Sequence, residues 1–222
     1  MDPAICSLVS ECFYERHQIR LTTSPDRSPS VFPQVKAAWL RAPVAWIDTA
    51  DSPLRREWKH EEESTTRNPA EVDAVLRVLG KLAEDGALIE YLAGLEDETP
   101  IGVICMYSGQ KEDIQSGFAR QSVSQAFRRM VRIDTVDGYQ GKENAIVVVS
   151  LVRDNPYADA GHVSRPNRCN VAMSRAIERL VIVGSSQMWS VRVPEKSPMR
   201  KVWNHLKNSP ETASFIQAKE LE

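Results

Sequence analysis

The stretch Thr135-Val136-Asp137-Gly138-Tyr139-Gln140-Gly141-Lys142-Glu143-Asn144-Ala145-Ile146-Val147-Val148-Val149-Ser150-Leu151-Val152 joins a polar turn holding two glycines to a run without charge. A strand with one wet face alternates apolar and polar residues. A run that is apolar throughout is buried on both faces. Working outward, Val44–Asp48, Ile101–Tyr107, Val131–Val136 and Arg179–Gly184 read as further strands. Helical patterns lie between them. Residues 2–16 place Ile5, Leu8, Val9 and Cys12 on one face. Asn68 and Pro69 suit the cap and first turn of a helix. Val72, Val75, Leu76, Leu79, Leu82 and Ala83 continue that helix as one stripe, and Gly86 closes it. Residues 110–129 and 166–177 read as two more helical segments. Strands alternating with helices predict an α/β fold, with a mostly parallel sheet flanked by helices on both faces. Ligands in such folds sit outside the carboxyl ends of the strands, so residues just after each strand are candidates.

The 222 residues, 42% hydrophobic and 26% charged, suit a globular domain with an ample core. No apolar run approaches the ~18–20 residues that span a bilayer, and no secretory signal opens the chain, so no membrane partner is expected. Four scattered cysteines without CxxC spacing read as reduced thiols of a cytoplasmic protein, not as a metal site. Net charge is −2, but residues 118–184 hold ten Lys/Arg against six Asp/Glu, a local +4 that leaves −6 for the rest. Such asymmetry suits one face that meets phosphates, or a mixed solvated surface.

Two stretches carry candidate chemistry. In 135–143, glycines permit close backbone approach to a ligand, unless the stretch is only a polar connection. In 165–176, Cys169, Ala172, Met173 and Ala176 share a face that would bury on the sheet. Arg168 and Arg175 lie two turns apart beside it, an anion-binding edge. The alternative leaves both arginines solvated or paired with neighbours such as Glu178.

Together these stretches resemble superfamily 1 helicases. Residues 135–143 with Val152-Arg153-Asp154-Asn155 look like their motif V, and Arg168-Cys-Asn-Val-Ala-Met-Ser-Arg175 like motif VI, backed by the strand ending at Gly184. The nearest flavour is the branch of RNA-decay and tandem DNA/RNA helicases. Met1-Asp-Pro-Ala-Ile5 resembles the tail of that branch's motif IV, and Asn68, Glu71, Tyr107 and Gln110 have counterparts there. Met106, Cys169 and Ser174 depart mildly from the pattern. The resemblance implies a three-layer RecA-like (P-loop NTPase-like) domain, the second of two motor domains. It implies that Arg175 is an arginine finger for ATP, and that Gln140, Gly141 and Glu143 meet the nucleotide. Thr135, Tyr107, Ser108 and Gln110 would lie along single-stranded DNA or RNA, with Arg168 and Asn170 coupling the two sites. It favours 5′ to 3′ travel.

No GxxxxGK[ST] stretch occurs in the sequence, nor an apolar strand ending in Asp-Glu. ATP and Mg²⁺ are therefore expected on a first RecA-like domain preceding Met1, so this chain alone is expected to be inactive. Residues 1–190 are read as the motor domain, with 51–67 an exposed loop. Residues 191–222 are read as a helical extension, ending in a Leu221-Glu222 that resembles a vector remnant. Two alternatives are a non-catalytic RecA-like binding module and part of a helicase–nuclease, although nothing after Ser185 resembles a nuclease site.

Overall fold

The computed structural model describes residues 1–14, 18–23, 32–59, 62–139 and 141–221. Among these residues six strands form one sheet: β1 (Val44–Asp48), β2 (Ile101–Cys105), β3 (Val131–Thr135), β4 (Asn144–Ser150), β5 (Ala176–Gly184) and β6 (Ala213–Gln217). Their order is β3-β2-β4-β5-β1-β6 and every pairing is parallel. Among the described residues seven α-helices accompany them: α1 (Pro3–Val9, extended by a wider turn to Tyr14), α2 (Pro69–Ala83), α3 (Gly86–Ala93), α4 (Ser108–Arg120), α5 (Gln125–Met130), α6 (Pro166–Ser174) and α7 (Pro198–Asn208).

The apolar strands are buried on both faces for a visible reason. Successive side chains of β1, β2, β4 and β5 alternate between two cores. Trp46, Ile104, Val147, Val149, Leu180 and Ile182 pack with residues of α1, α6 and α7. Ile47, Val103, Val148, Val181 and Val183 pack with residues of α2, α3 and α4. Each fully buried Val, Ile or Leu contributes roughly 1.5–3 kcal/mol, so these four strands anchor the fold.

Four expectations need correction. Gly86 opens α3 instead of merely closing α2, because Asp85 caps that helix by accepting from the Leu88 N–H at 3.3 Å. The helix read over 166–177 stops at Ser174. Ala176 already pairs with Asn144, and the Arg175 carbonyl accepts from the Asn144 N–H at 3.0 Å, so strand pairing replaces a further helical turn. Residues 191–222 are not simply helical: β6 joins the sheet against β1, and Leu221 is buried. Finally, 51–67 is exposed for only part of its length. Trp58 and Arg67 form an antiparallel bridge, and Thr66 and Arg67 are buried.

The connection from β3 to β4 matters most for the site. Parallel strands are usually joined by a crossover of a dozen or more residues, commonly a helix. Here eight residues, 136–143, cross from the carboxyl edge of the sheet to its amino edge. Tyr139 pins the crossing. It is fully buried, donates to the Arg132 carbonyl at 3.1 Å, and lies 4.9 Å below the Arg132 guanidinium. Gly102 on β2 makes room, since a Cβ there would fall 2.6 Å from the Tyr139 hydroxyl and the Asn144 Oδ1.

Candidate nucleotide and nucleic-acid sites

At the amino edge, Arg175 follows the last residue of α6 and precedes β5. Its Nε donates to the Val171 carbonyl (3.2 Å), its Nη2 to Ser174 Oγ (3.2 Å) and its Nη1 to the Lys142 carbonyl (3.4 Å). Every acceptor is neutral. Among the described residues no carboxylate forms an ion pair with Arg175, and Glu178 instead accepts from the Tyr91 hydroxyl at 2.8 Å. The 141–143 turn lies against it, with Gly141 in the left-handed region (φ 84°) and Glu143 exposed. Gln140 lies outside the described residues.

Arg168 differs from Arg175 in having an acidic partner among the described residues. Seven residues at about 1.5 Å rise separate them by roughly 10 Å along α6. Arg168 turns to the start of the crossover, where Nη2 meets Asp137 Oδ2 at 2.8 Å. Asn170 Nδ2 donates to the Tyr14 hydroxyl at 3.0 Å, joining α6 to the end of the first helix.

At the carboxyl edge, Tyr107 follows β2 and is almost fully buried. Its hydroxyl accepts from Arg153 Nη1 and from the His162 N–H, both at 3.0 Å, and its ring leans on His162 with centroids 4.9 Å apart. Gly161 is needed here, because a Cβ would fall 2.2 Å from the Tyr107 hydroxyl. A groove of about 470 Å³ opens beside it, lined by Lys59, Thr66, Tyr107, Arg153, His162 and Arg165 among others. Burial, then Arg168 and Arg165, hold the His162 pKa below its ordinary value. Ser108 is exposed and donates to Thr65 Oγ1 at 3.1 Å. Thr135 Oγ1 accepts from the Gly138 N–H at 3.3 Å, which starts the crossover turn.

Gln110 does not face a strand of nucleic acid; it is completely buried. Its Nε2 donates to Ser150 Oγ (3.0 Å) and its Oε1 accepts from the Asn68 N–H (2.8 Å). The same network contains a group whose role the sequence did not reveal. Glu71 Oε2 accepts from Ser150 Oγ at 2.7 Å and from the Val152 N–H at 2.8 Å, while the Val152 carbonyl accepts from Asn68 Nδ2 at 2.8 Å. Val152 has φ 72°, a strained conformation for a β-branched residue. Asn68 and Glu71 thus clamp both sides of Val152, and the chain beyond it delivers Arg153 to Tyr107. Burial pushes the Glu71 carboxyl up to about 8, with Asp154 adding to the effect. Asn68 with Pro69 was legible as a helix start; the reach of Glu71 across 81 residues to Val152 was not.

A protein-family model described as an AAA domain matches residues 1–187. Similar proteins are helicases. The DNA replication ATP-dependent helicase/nuclease DNA2 of Bos taurus is 40% identical over 107 residues, 48% of this chain and 9% of the relative. Regulator of nonsense transcripts 1 of Dictyostelium discoideum is 27% identical over 212 residues, 93% of this chain and 14% of the relative. The 5′-3′ DNA helicase ZGRF1 of Mus musculus is 27% identical over 183 residues, 82% of this chain and 8% of the relative. The chain belongs to the superfamily 1 helicases. It is their C-terminal RecA-like domain, and it spans less than a sixth of the length of each of these relatives. Among its described residues, no cluster of three His, Cys, Asp or Glu could hold a metal ion. No helix described in this helicase domain is long and apolar enough to cross a membrane.

Proposed function

We propose that this domain is the ATP-responsive half of a helicase motor, supplying Arg175 to a nucleotide held mainly by a first RecA-like domain of the same polypeptide. The observation that carries the reading is the Arg175 guanidinium at the amino edge, held among the described residues by neutral acceptors alone beside the 141–143 turn. A cation so held can leave weak partners for a phosphate without first breaking an ion pair. Glu143, exposed on the same turn, suits a ribose hydroxyl, and the open backbone at Gly141 admits a phosphate closely. Gln140 takes the γ-phosphate-sensing position by its place in the motif. Bound ATP with Mg²⁺ would supply the phosphoryl group whose spreading charge Arg175 stabilises.

The carboxyl edge forms part of the single-strand track, through Ser108, Thr135 and the wall made by Tyr107. The eight-residue crossover starts just after Thr135 and ends at Glu143, so one short segment touches both edges and transmits movement of either. The Arg168–Asp137 pair fastens α6 to that segment. The 5′-3′ designation of the mouse relative supports 5′ to 3′ travel. The four buried thiols suit a cytoplasmic placement.

The test uses the full-length protein. Arg175→Ala is expected to lower nucleic-acid-stimulated ATPase by about 10³-fold or more, the scale of an arginine finger, with strand binding largely retained. Unchanged ATPase overturns the assignment. For the 222-residue chain alone, titration with a non-hydrolysable ATP analogue is expected to show no micromolar binding; such binding would relocate the nucleotide site.

A further inference from the structure

We propose that Trp58 and Tyr157 form a base-stacking platform for single-stranded nucleic acid, continuous with the Tyr107 groove. The inference rests on the nucleic-acid reading of the carboxyl edge given above. Both rings are exposed, Trp58 by 45% and Tyr157 by 87%. Both line a second groove of about 520 Å³, together with Arg56, Lys59 and Pro156. This groove and the Tyr107 groove share Glu57, Lys59, Arg153 and Asp159, so they form one surface.

The segments that carry the rings are held in place. Trp58 exchanges backbone hydrogen bonds with Arg67 at 2.9 and 3.0 Å, and the Arg67 guanidinium sits 5.7 Å from its ring. Arg67 is itself paired with Glu112 (3.0 Å) and Asp113 (3.3 Å). Tyr157 follows Pro156, and its N–H donates to Asn155 Oδ1 at 3.1 Å. Glu57 stitches the two segments together: Oε2 accepts from Arg153 Nε (2.9 Å), the Asp154 N–H (2.8 Å) and Asn155 Nδ2 (3.1 Å). Backbone fixed before binding loses little conformational freedom when a base stacks on the rings it carries.

Charge selects the occupant. The carboxylates of this surface are already taken: Glu57 and Asp159 by Arg153, and Asp154 by Arg56 and Arg192. Lys59 and Arg165 have no carboxylate partner among the described residues, so the surface offers exposed rings beside free cations. That pairing suits a polyanion with π-faces, as in sequence-tolerant single-strand binding. An apolar peptide would leave both cations without a counter-charge.

The experiment titrates the 222-residue chain into a fluorescein-labelled oligothymidylate and into an abasic phosphodiester strand of equal length. Trp58→Ala and Tyr157→Ala are each expected to weaken oligothymidylate binding by about 5-fold or more, the scale of one lost base stack. Trp58→Phe and Tyr157→Phe retain most of it, and abasic-strand affinity stays unchanged in all four. Lys59→Ala is expected to weaken both strands alike and to flatten the salt dependence. If the alanine variants bind oligothymidylate like the parent while Lys59→Ala is impaired, the stacking platform is refuted and the nucleic-acid reading stands. A parent chain that binds neither strand overturns both.

Discussion

Glu71 has no exposed surface and, among the described residues, no ion-pair partner, yet it organises the carboxyl edge by accepting from Ser150 and Val152. In the folded protein its carboxyl keeps its proton to about pH 8, whereas the ordinary value is 4.5. Between these values the folded state binds a proton that the unfolded state has released, so stability falls as pH rises through that window. Glu71→Gln keeps an acceptor and removes the ionisation. Thermal unfolding from pH 5 to 8 is therefore expected to show a shallower decline in the variant, and an equal decline would locate the pH dependence elsewhere. Glu71→Ala leaves the Ser150 hydroxyl and the Val152 N–H without their acceptor in the core, a loss of about 1–3 kcal/mol. Asn68 at the helix start was readable from its type and the proline after it. The burial of Gln110 was not, because the partners that enclose it lie about 40 residues away on other elements.

The crossover and α6 are the elements that connect the two edges, and the Arg168–Asp137 pair is their outermost fastening. Asp137 is largely exposed there, so the pair contributes about 1 kcal/mol or less. Asp137→Ala is accordingly expected to leave the unfolding midpoint nearly unchanged, but to lower the ratio of nucleic-acid-stimulated to basal ATPase in the full-length protein. An unaltered ratio would remove α6 from the link. Gly102→Ala tests the crossing itself. The added methyl meets Tyr139 and Asn144, and the overpacking is expected to cost about 1–3 kcal/mol, read as a lower denaturant midpoint. Elements with a strong period were legible, such as the stripe of α2. The boundary of α6 was not, since Ala176 and Ile177 suit a helix and a strand equally until Asn144 pairs beside them.

Across the whole molecule, β6 closes a sheet that would otherwise end at β1. Its removal, by ending the chain after Asn208, strips five residue pairings from β1 and takes Phe215 away from Trp203, which stands edge-on against Trp46. A loss of several hydrogen bonds and buried side chains is expected to lower the melting temperature on the order of 10 °C and to promote association along the bared edge. A melting curve that superimposes on the parent's would show β6 to be dispensable. Its brief Ala213–Gln217 run carried no distinctive pattern, so it passed for the end of an extension. The uninterrupted apolar runs of β4 and β5 determined the sheet from sequence alone, because burial on both faces leaves no polar alternation. The order of residues 135–143 and 168–175 likewise determined the family, since turn glycines and guanidiniums are defined by residue type. Tertiary structure alone decided which side chains meet. It sent Arg168 to Asp137, left Arg175 with no carboxylate partner among the described residues, and clamped Val152 with a carboxyl 81 residues away. Such partnerships depend on how the layers pack, and packing distances have no local period to read.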